Sequence, residues 1–114
     1  MTAGPVTFST HVLDATTGRP AAGIAVRLER SLAGGAWAPA AEGQADTDGR
    51  LRLPGGLEPG VYRVTFGTGA YFKARGSASF YPEVAVTFEA AVPGEHCHVP
   101  LLLSPFAYST YRGS

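Results

Sequence analysis

Three histidines are the side chains of this sequence best suited to exchange protons near neutral pH, and two of them stand together as His96-Cys97-His98. On an extended strand, residues i and i+2 project from one face, so His96 and His98 point one way and Cys97 the other. Cys97 then shares its side with Val99, Leu101 and Leu103, an apolar set that calls for burial. The third histidine, His11, has the parity of Thr7 and Ser9, opposite Val6, Phe8 and Val12. All three imidazoles are therefore expected to leave the core and face outward.

An outward histidine can be a solvated surface group that does no chemistry. It can also be a general base beside a polarised carbonyl. A third option is metal ligation, since His-x-His presents two imidazoles to one ion and His11 offers a third. Zinc would want a closed set of ligands, yet Cys97 points inward and no carboxylate has suggestive spacing, so no metal is expected. Cys97 reads as a buried structural thiol and not as a nucleophile. Arg50, directly after Asp48-Gly49, is either a solvated turn residue or a guanidinium clamp for a planar carbonyl or an anion. The last residues, Tyr111-Arg112-Gly113-Ser114, would bring a hydroxyl and a carboxylate to a fixed place only if that end is ordered.

The elements that must position these groups are strands. Val6 to Val12 alternates up to the break at Asp14-Ala-Thr-Thr-Gly18, and Ile24, Val26 and Leu28 alternate with Arg27 and Glu29. A weaker strand runs from Trp37 to Gln44, and the turn Asp46-Thr-Asp-Gly49 feeds a short strand holding Arg50 to Leu53. Pro54-Gly-Gly56 and Pro59-Gly60 bound a loop, and Tyr62, Val64 and Phe66 mark the strand after it. Ala70 to Arg75 is the one expected helix, with Tyr71, Phe72, Phe80 and Tyr81 around it covering an end of the core. Val84 to Glu89, His96 to Leu103 and Phe106 to Tyr111 complete the set. About eight short strands and one short helix predict an all-β, antiparallel sandwich.

Composition narrows the function classes. With 114 residues, no linker and no internal repeat, one domain spanning residues 1–114 is expected. Nine Lys and Arg balance nine Asp and Glu, which speaks against nucleic acid or an anionic membrane as the partner. The first residues lack the basic and apolar regions of a secretory signal, and the apolar run Val99 to Leu103 is too short to cross a bilayer. A lone cysteine fits a reducing compartment, so a cytoplasmic protein is expected.

Five separated stretches then resemble one family. They are Ser9-Thr-His-Val-Leu-Asp14 with Gly18-Arg-Pro-Ala-Ala22, Thr47-Asp-Gly-Arg50, Gly69-Ala-Tyr-Phe72, Phe80-Tyr-Pro-Glu-Val84, and His98-Val-Pro-Leu-Leu-Leu-Ser-Pro105 with the Tyr-Arg-Gly-Ser end. Together they resemble the 5-hydroxyisourate hydrolases, enzymes of purine and urate breakdown. The resemblance implies a transthyretin-like (prealbumin-like) sandwich of two four-stranded sheets with a short helix. The carrier branch of that fold, which would make this chain a binding module without turnover, lacks both the His/Arg/His set and the tail. One departure is Cys97, where the family usually has an aromatic residue; its inward direction predicts a packing change and no lost chemistry.

The resemblance further implies a catalytic set of His11, Arg50, His98 and Ser114, with Tyr111 also at the substrate. It implies no cofactor, and a homotetramer, a dimer of dimers with the sites at the dimer–dimer interface. The implied reaction is hydrolysis of a ring amide of 5-hydroxyisourate to 2-oxo-4-hydroxy-4-carboxy-5-ureidoimidazoline. In it His98 would activate water and His11 would orient water or substrate, or the two would exchange these roles, and Arg50 would stabilise the developing negative charge. Ser114, by hydroxyl or carboxylate, would position substrate or tune a histidine.

Overall fold

Alternation and turn residues set where strands begin and end, and the computed structural model, which describes residues 4–114 apart from the side chains of Pro54 and Gly55, contains nearly all the expected ones. In chain order they are β1 (Val6–Asp14), β2 (Arg19–Pro20), β3 (Ala25–Ser31), β4 (Trp37–Gln44), β5 (Arg50–Leu57) and β6 (Gly60–Phe66). After the helix α1 (Thr68–Ala74) come β7 (Val84–Ala90), β8 (His96–His98), β9 (Leu101–Ser104) and β10 (Ala107–Thr110).

One sheet runs β4-β3-β6-β7 with every pairing antiparallel. The other is built around β1, which pairs antiparallel with β5 on one side and lies alongside β8 and β9 on the other, with β10 outside β9. The two-sheet sandwich expected from the sequence is present, but the sheet built on β1 counts six strands where four were expected, and it is not wholly antiparallel. β8 and β9 run parallel to β1, which is possible because the whole second sheet intervenes in the chain between them.

Two other departures have local causes. The stretch expected as a single strand from His96 is broken at Val99-Pro100, where proline has no N–H to give to a ladder. Side chains take over there: Thr10 Oγ1 donates to Val99 O at 2.6 Å and Thr110 Oγ1 donates to Pro100 O at 2.7 Å. The stretch expected as a loop at Pro54-Gly-Gly56 instead lies within β5. The ladder absorbs it by a register shift, Val6 pairing with Leu57 and Phe8 with Leu53. The helix starts two residues earlier than expected, at Thr68.

Between the sheets, Phe8, Val12, Leu28, Val64, Phe66 and Leu101 are fully buried, and Phe88 stacks on Phe8 at 5.6 Å between ring centroids. Each such side chain contributes about 1.5–3 kcal/mol when taken from water into the core. The helix is tied to the end of β1, where the Tyr71 hydroxyl donates to the buried Asp14 carboxylate at 2.9 Å. Burial and that carboxylate push the Tyr71 phenol up to about 12. Tyr71 and Phe72 cover the core end as expected, whereas Phe80 does not: it is 70% exposed on the loop that follows. Its backbone is held out there by a hydrogen bond from Phe80 N to Pro105 O at 2.9 Å.

Candidate active site

Strand β1 assembles the site because it is central in its sheet. Its antiparallel register with β5 sets His11 directly opposite Arg50 and Ser9 opposite Arg52. Its parallel register with β8 sets Thr7 beside His96 and Ser9 beside His98. The same alternation that buries Phe8, Val12 and Cys97 therefore gathers His11, Arg50, Arg52, His96 and His98 on one outer face.

The Asp46–Gly49 turn aims the Arg50 end of that row. Asp46 Oδ1 accepts hydrogen bonds from the backbone N–H groups of Asp48 and Arg50, both at 2.9 Å. Gly49 is needed at this turn, since its φ is +73° and a Cβ there would strike the Val12 carbonyl. The turn also fixes His11, whose Nε2–H donates to the Asp48 carbonyl at 3.0 Å. In the neutral ring that leaves Nδ1 as the acceptor.

His98 is half-buried, and its Nδ1 lies 2.8 Å from Ser9 Oγ. Burial, then the nearby charges of His96, Arg50 and His11, hold its pKa below the ordinary histidine value of 6.5. An imidazole so placed is neutral at pH 7 and free to accept a proton. Arg50 and Arg52 are exposed, and among the described residues neither is in an ion pair. The face thus keeps free positive charge that an anionic or strongly polarised ring would find.

The tail packs against the His98 end of this row. Gly113 N–H donates to the His98 carbonyl at 2.9 Å, and the two residues form an antiparallel bridge. Glycine is required by the close approach, because a Cβ at Gly113 would collide with the His98 ring. Arg112 pairs with Glu95 at 3.1 Å, a second tether. Beside it a cleft of about 370 Å³ opens between the sheets, lined by Val86, Phe88, Cys97, His98, Tyr111 and Arg112 among others. Cys97 is buried at its base with its thiol pushed up by burial, a structural thiol as expected.

Of the residues singled out from the sequence, His11, Arg50 and His98 meet on one face. Tyr111 is exposed along the cleft, and Ser114 is exposed just beyond the Gly113 tether. Ser9, His96 and Arg52 join His11, Arg50 and His98 on that face, and all three share the parity of the site residues. That shared parity is the signal that could have found them. Among the described residues, no group of three or more His, Cys, Asp or Glu side chains is arranged to hold a metal ion.

Fold and face together define a two-sheet β-sandwich that carries a titratable, cationic row on the outside of one sheet. The model of the HIUase/Transthyretin family matches residues 8–113, and the chain belongs to that family. It is 44% identical to the 5-hydroxyisourate hydrolase of Salmonella typhi, over all of this chain and 85% of that one. The solved structure of Klebsiella pneumoniae 5-hydroxyisourate hydrolase superposes with a TM-score of 0.82 at 37% identity, covering 95% of this chain and 99% of that one. Transthyretin from Sparus aurata superposes at 0.88 with 34% identity, covering 93% and 95%. Because a transthyretin and a hydrolase fit the backbone about equally well, the side chains on the outer face, and not the fold, must separate the two.

Proposed function

We propose that this chain hydrolyses 5-hydroxyisourate in urate degradation, at the outer face of the β1 sheet. The observation that carries the proposal is the convergence of His11, Arg50 and His98 across three neighbouring strands, with His98 held neutral beside a guanidinium free of any carboxylate. The names of the Salmonella typhi and Klebsiella pneumoniae relatives support the substrate.

The chemistry follows from these groups. Neutral His98 takes a proton from water as the oxygen attacks the ring carbonyl. Arg50 stabilises the negative charge that develops on the carbonyl oxygen, and a preorganised cation is worth most where water is excluded. His11, fixed by the Asp48 carbonyl, orients water or substrate through Nδ1. Tyr111 and Ser114 border the substrate from the tail. The residues suffice for opening an activated amide by general base and electrostatic catalysis, without a cofactor.

The exposed row needs a cover. Leu102, which pairs with Leu13 on that outer face, and Tyr111 in the tail are large apolar groups left in solvent, which supports a homotetramer whose subunits enclose the sites. The chain acts as one domain, and its single buried thiol supports a cytoplasmic location. No described helix is long and apolar enough to cross a membrane. The test is to generate 5-hydroxyisourate from urate with urate oxidase and follow its ultraviolet decay. Added protein is expected to accelerate the decay in proportion to its concentration; a decay unchanged by the protein would overturn the proposal.

A further inference from the structure

A continuous line of hydrogen bonds runs along the outer face and ends at His98. Thr7 Oγ1 lies 2.6 Å from His96 Nδ1, His96 Nε2 lies 2.7 Å from Ser9 Oγ, and Ser9 Oγ lies 2.8 Å from His98 Nδ1. The register of β1 with β8 produces this line, because it alternates a β1 hydroxyl with a β8 imidazole. Ser9 is 9% exposed, so its hydroxyl depends on these two rings for partners.

A serine hydroxyl has one proton, so in neutral rings the line has one of two polarities. In the first, His98 Nδ1–H donates to Ser9, Ser9 donates to His96 Nε2, and His96 Nδ1–H donates to Thr7. His98 Nε2 is then bare. In the second every donor is reversed and His98 Nε2 carries the proton, which makes it useless as a base. The charges facing His98 decide between them. Arg50 from β5 and His11 from β1 share its face, His96 stands on its own strand, and Glu95, Arg112 and Glu89 border the cleft. Arg50, which shares the outer face and whose charge acts on His98, favours a bare nitrogen over an N–H on the side of the ring away from Ser9, which argues for the first polarity.

We propose that Ser9 and His96 are positioning residues that hold His98 in its Nδ1–H tautomer, leaving Nε2 to accept the proton of the attacking water. The hydroxyl of Ser9 orients the ring, and His96, on the solvent side, keeps that hydroxyl turned so that its oxygen accepts from His98. Through the reaction His98 retains the Nδ1–H bond to Ser9 and gains the water proton at Nε2, so the new imidazolium stays hydrogen-bonded. This role rests on the reading of His98 as the base.

The decisive experiment joins tautomer to rate. Long-range proton–nitrogen NMR of the intact protein should show His98 with Nδ1 protonated and Nε2 bare at pH 7.5, and Ser9→Ala should remove that preference. Ser9→Ala and His96→Ala should each lower kcat for 5-hydroxyisourate by about tenfold or more with KM little changed. Ser9→Thr and His96→Gln, which restore a hydroxyl and an acceptor at the Nε2 position, should recover most of the rate. A wild-type His98 protonated at Nε2, or full activity in Ser9→Ala beside an inactive His98→Asn, would overturn the positioning role. Full activity in His98→Asn would instead overturn the assignment of the base, and with it any catalytic role for the line.

Discussion

The two sheets of this sandwich present very different outer faces. On the β3–β6 sheet, the central arginines are compensated: Glu29 accepts from Arg63 at 2.8 Å with Arg27 at 3.8 Å, and the Arg63 guanidinium lies 4.3 Å from the centre of the Trp37 ring. On the β1 sheet, Arg50 and Arg52 have no ion-pair partner among the described residues and stand beside three histidines whose ring nitrogens are bonded to hydroxyls and a carbonyl. Both faces grow from the same alternation. The difference teaches that a strand's outward residues become a site when their charges are left uncompensated and their orientations are fixed.

The largest expected effect is on the unpaired face. His98→Asn and Arg50→Ala should each lower turnover of 5-hydroxyisourate by about 10²-fold or more, while circular dichroism and thermal unfolding show the sandwich retained. Near-normal turnover in either variant would make the two faces equivalent and remove that residue from the chemistry. Next comes the tail: Gly113→Ala forces a Cβ into the His98 ring, so kcat should fall by about tenfold or more as the imidazole is displaced. An unaffected kcat would mean that the tail does not set the ring's position.

Smaller effects sharpen the contrast from the other side. Tyr71→Phe removes the donor to buried Asp14 and should cost about 1–3 kcal/mol of stability in denaturant unfolding, with kcat/KM unchanged. Arg63→Ala, on the compensated face, should shift stability by at most about 1 kcal/mol and leave kinetics alone. A loss of activity there would show that the β3–β6 face takes part after all.

Much of this contrast was legible in the sequence. The alternation of Val6, Phe8 and Val12 against Thr7, Ser9 and His11 sorts inward from outward without any knowledge of partners, and so does Cys97 against its flanking histidines. Which strands lie side by side is not written in alternation. The parallel pairing of β8 with β1, on which the Ser9 contacts depend, arises from long-range packing across a chain separation of nearly ninety residues. The bulge in β5 was hidden for a related reason, because Pro54 and two glycines read locally as a turn while the ladder to β1 keeps them extended. Phe80 failed in the opposite sense: an aromatic reads as core, yet its backbone bond to Pro105 holds the ring outside. A role for the tail was expected from a resemblance alone, whereas the close packing of Gly113 on the His98 ring needed the fold.

We propose that the outer face of the β1 sheet keeps the neutral His98 imidazole ready as the base. The most direct test is the pH dependence of kcat/KM for 5-hydroxyisourate, corrected for spontaneous decay, since that quantity reports the free enzyme. His98 has its pKa lowered by burial and by neighbouring His96, Arg50 and His11, so activity should fall on acidification with its midpoint below pH 6.5. Stability should follow the same sign: the depressed pKa makes the unfolded chain bind more protons just below pH 6.5, so that part of the stability is also lost on acidification. An acid limb below pH 6.5 that disappears from the residual activity of His98→Asn is the predicted result. A limb at or above 6.5, or one that persists unchanged in His98→Asn, would contradict the account.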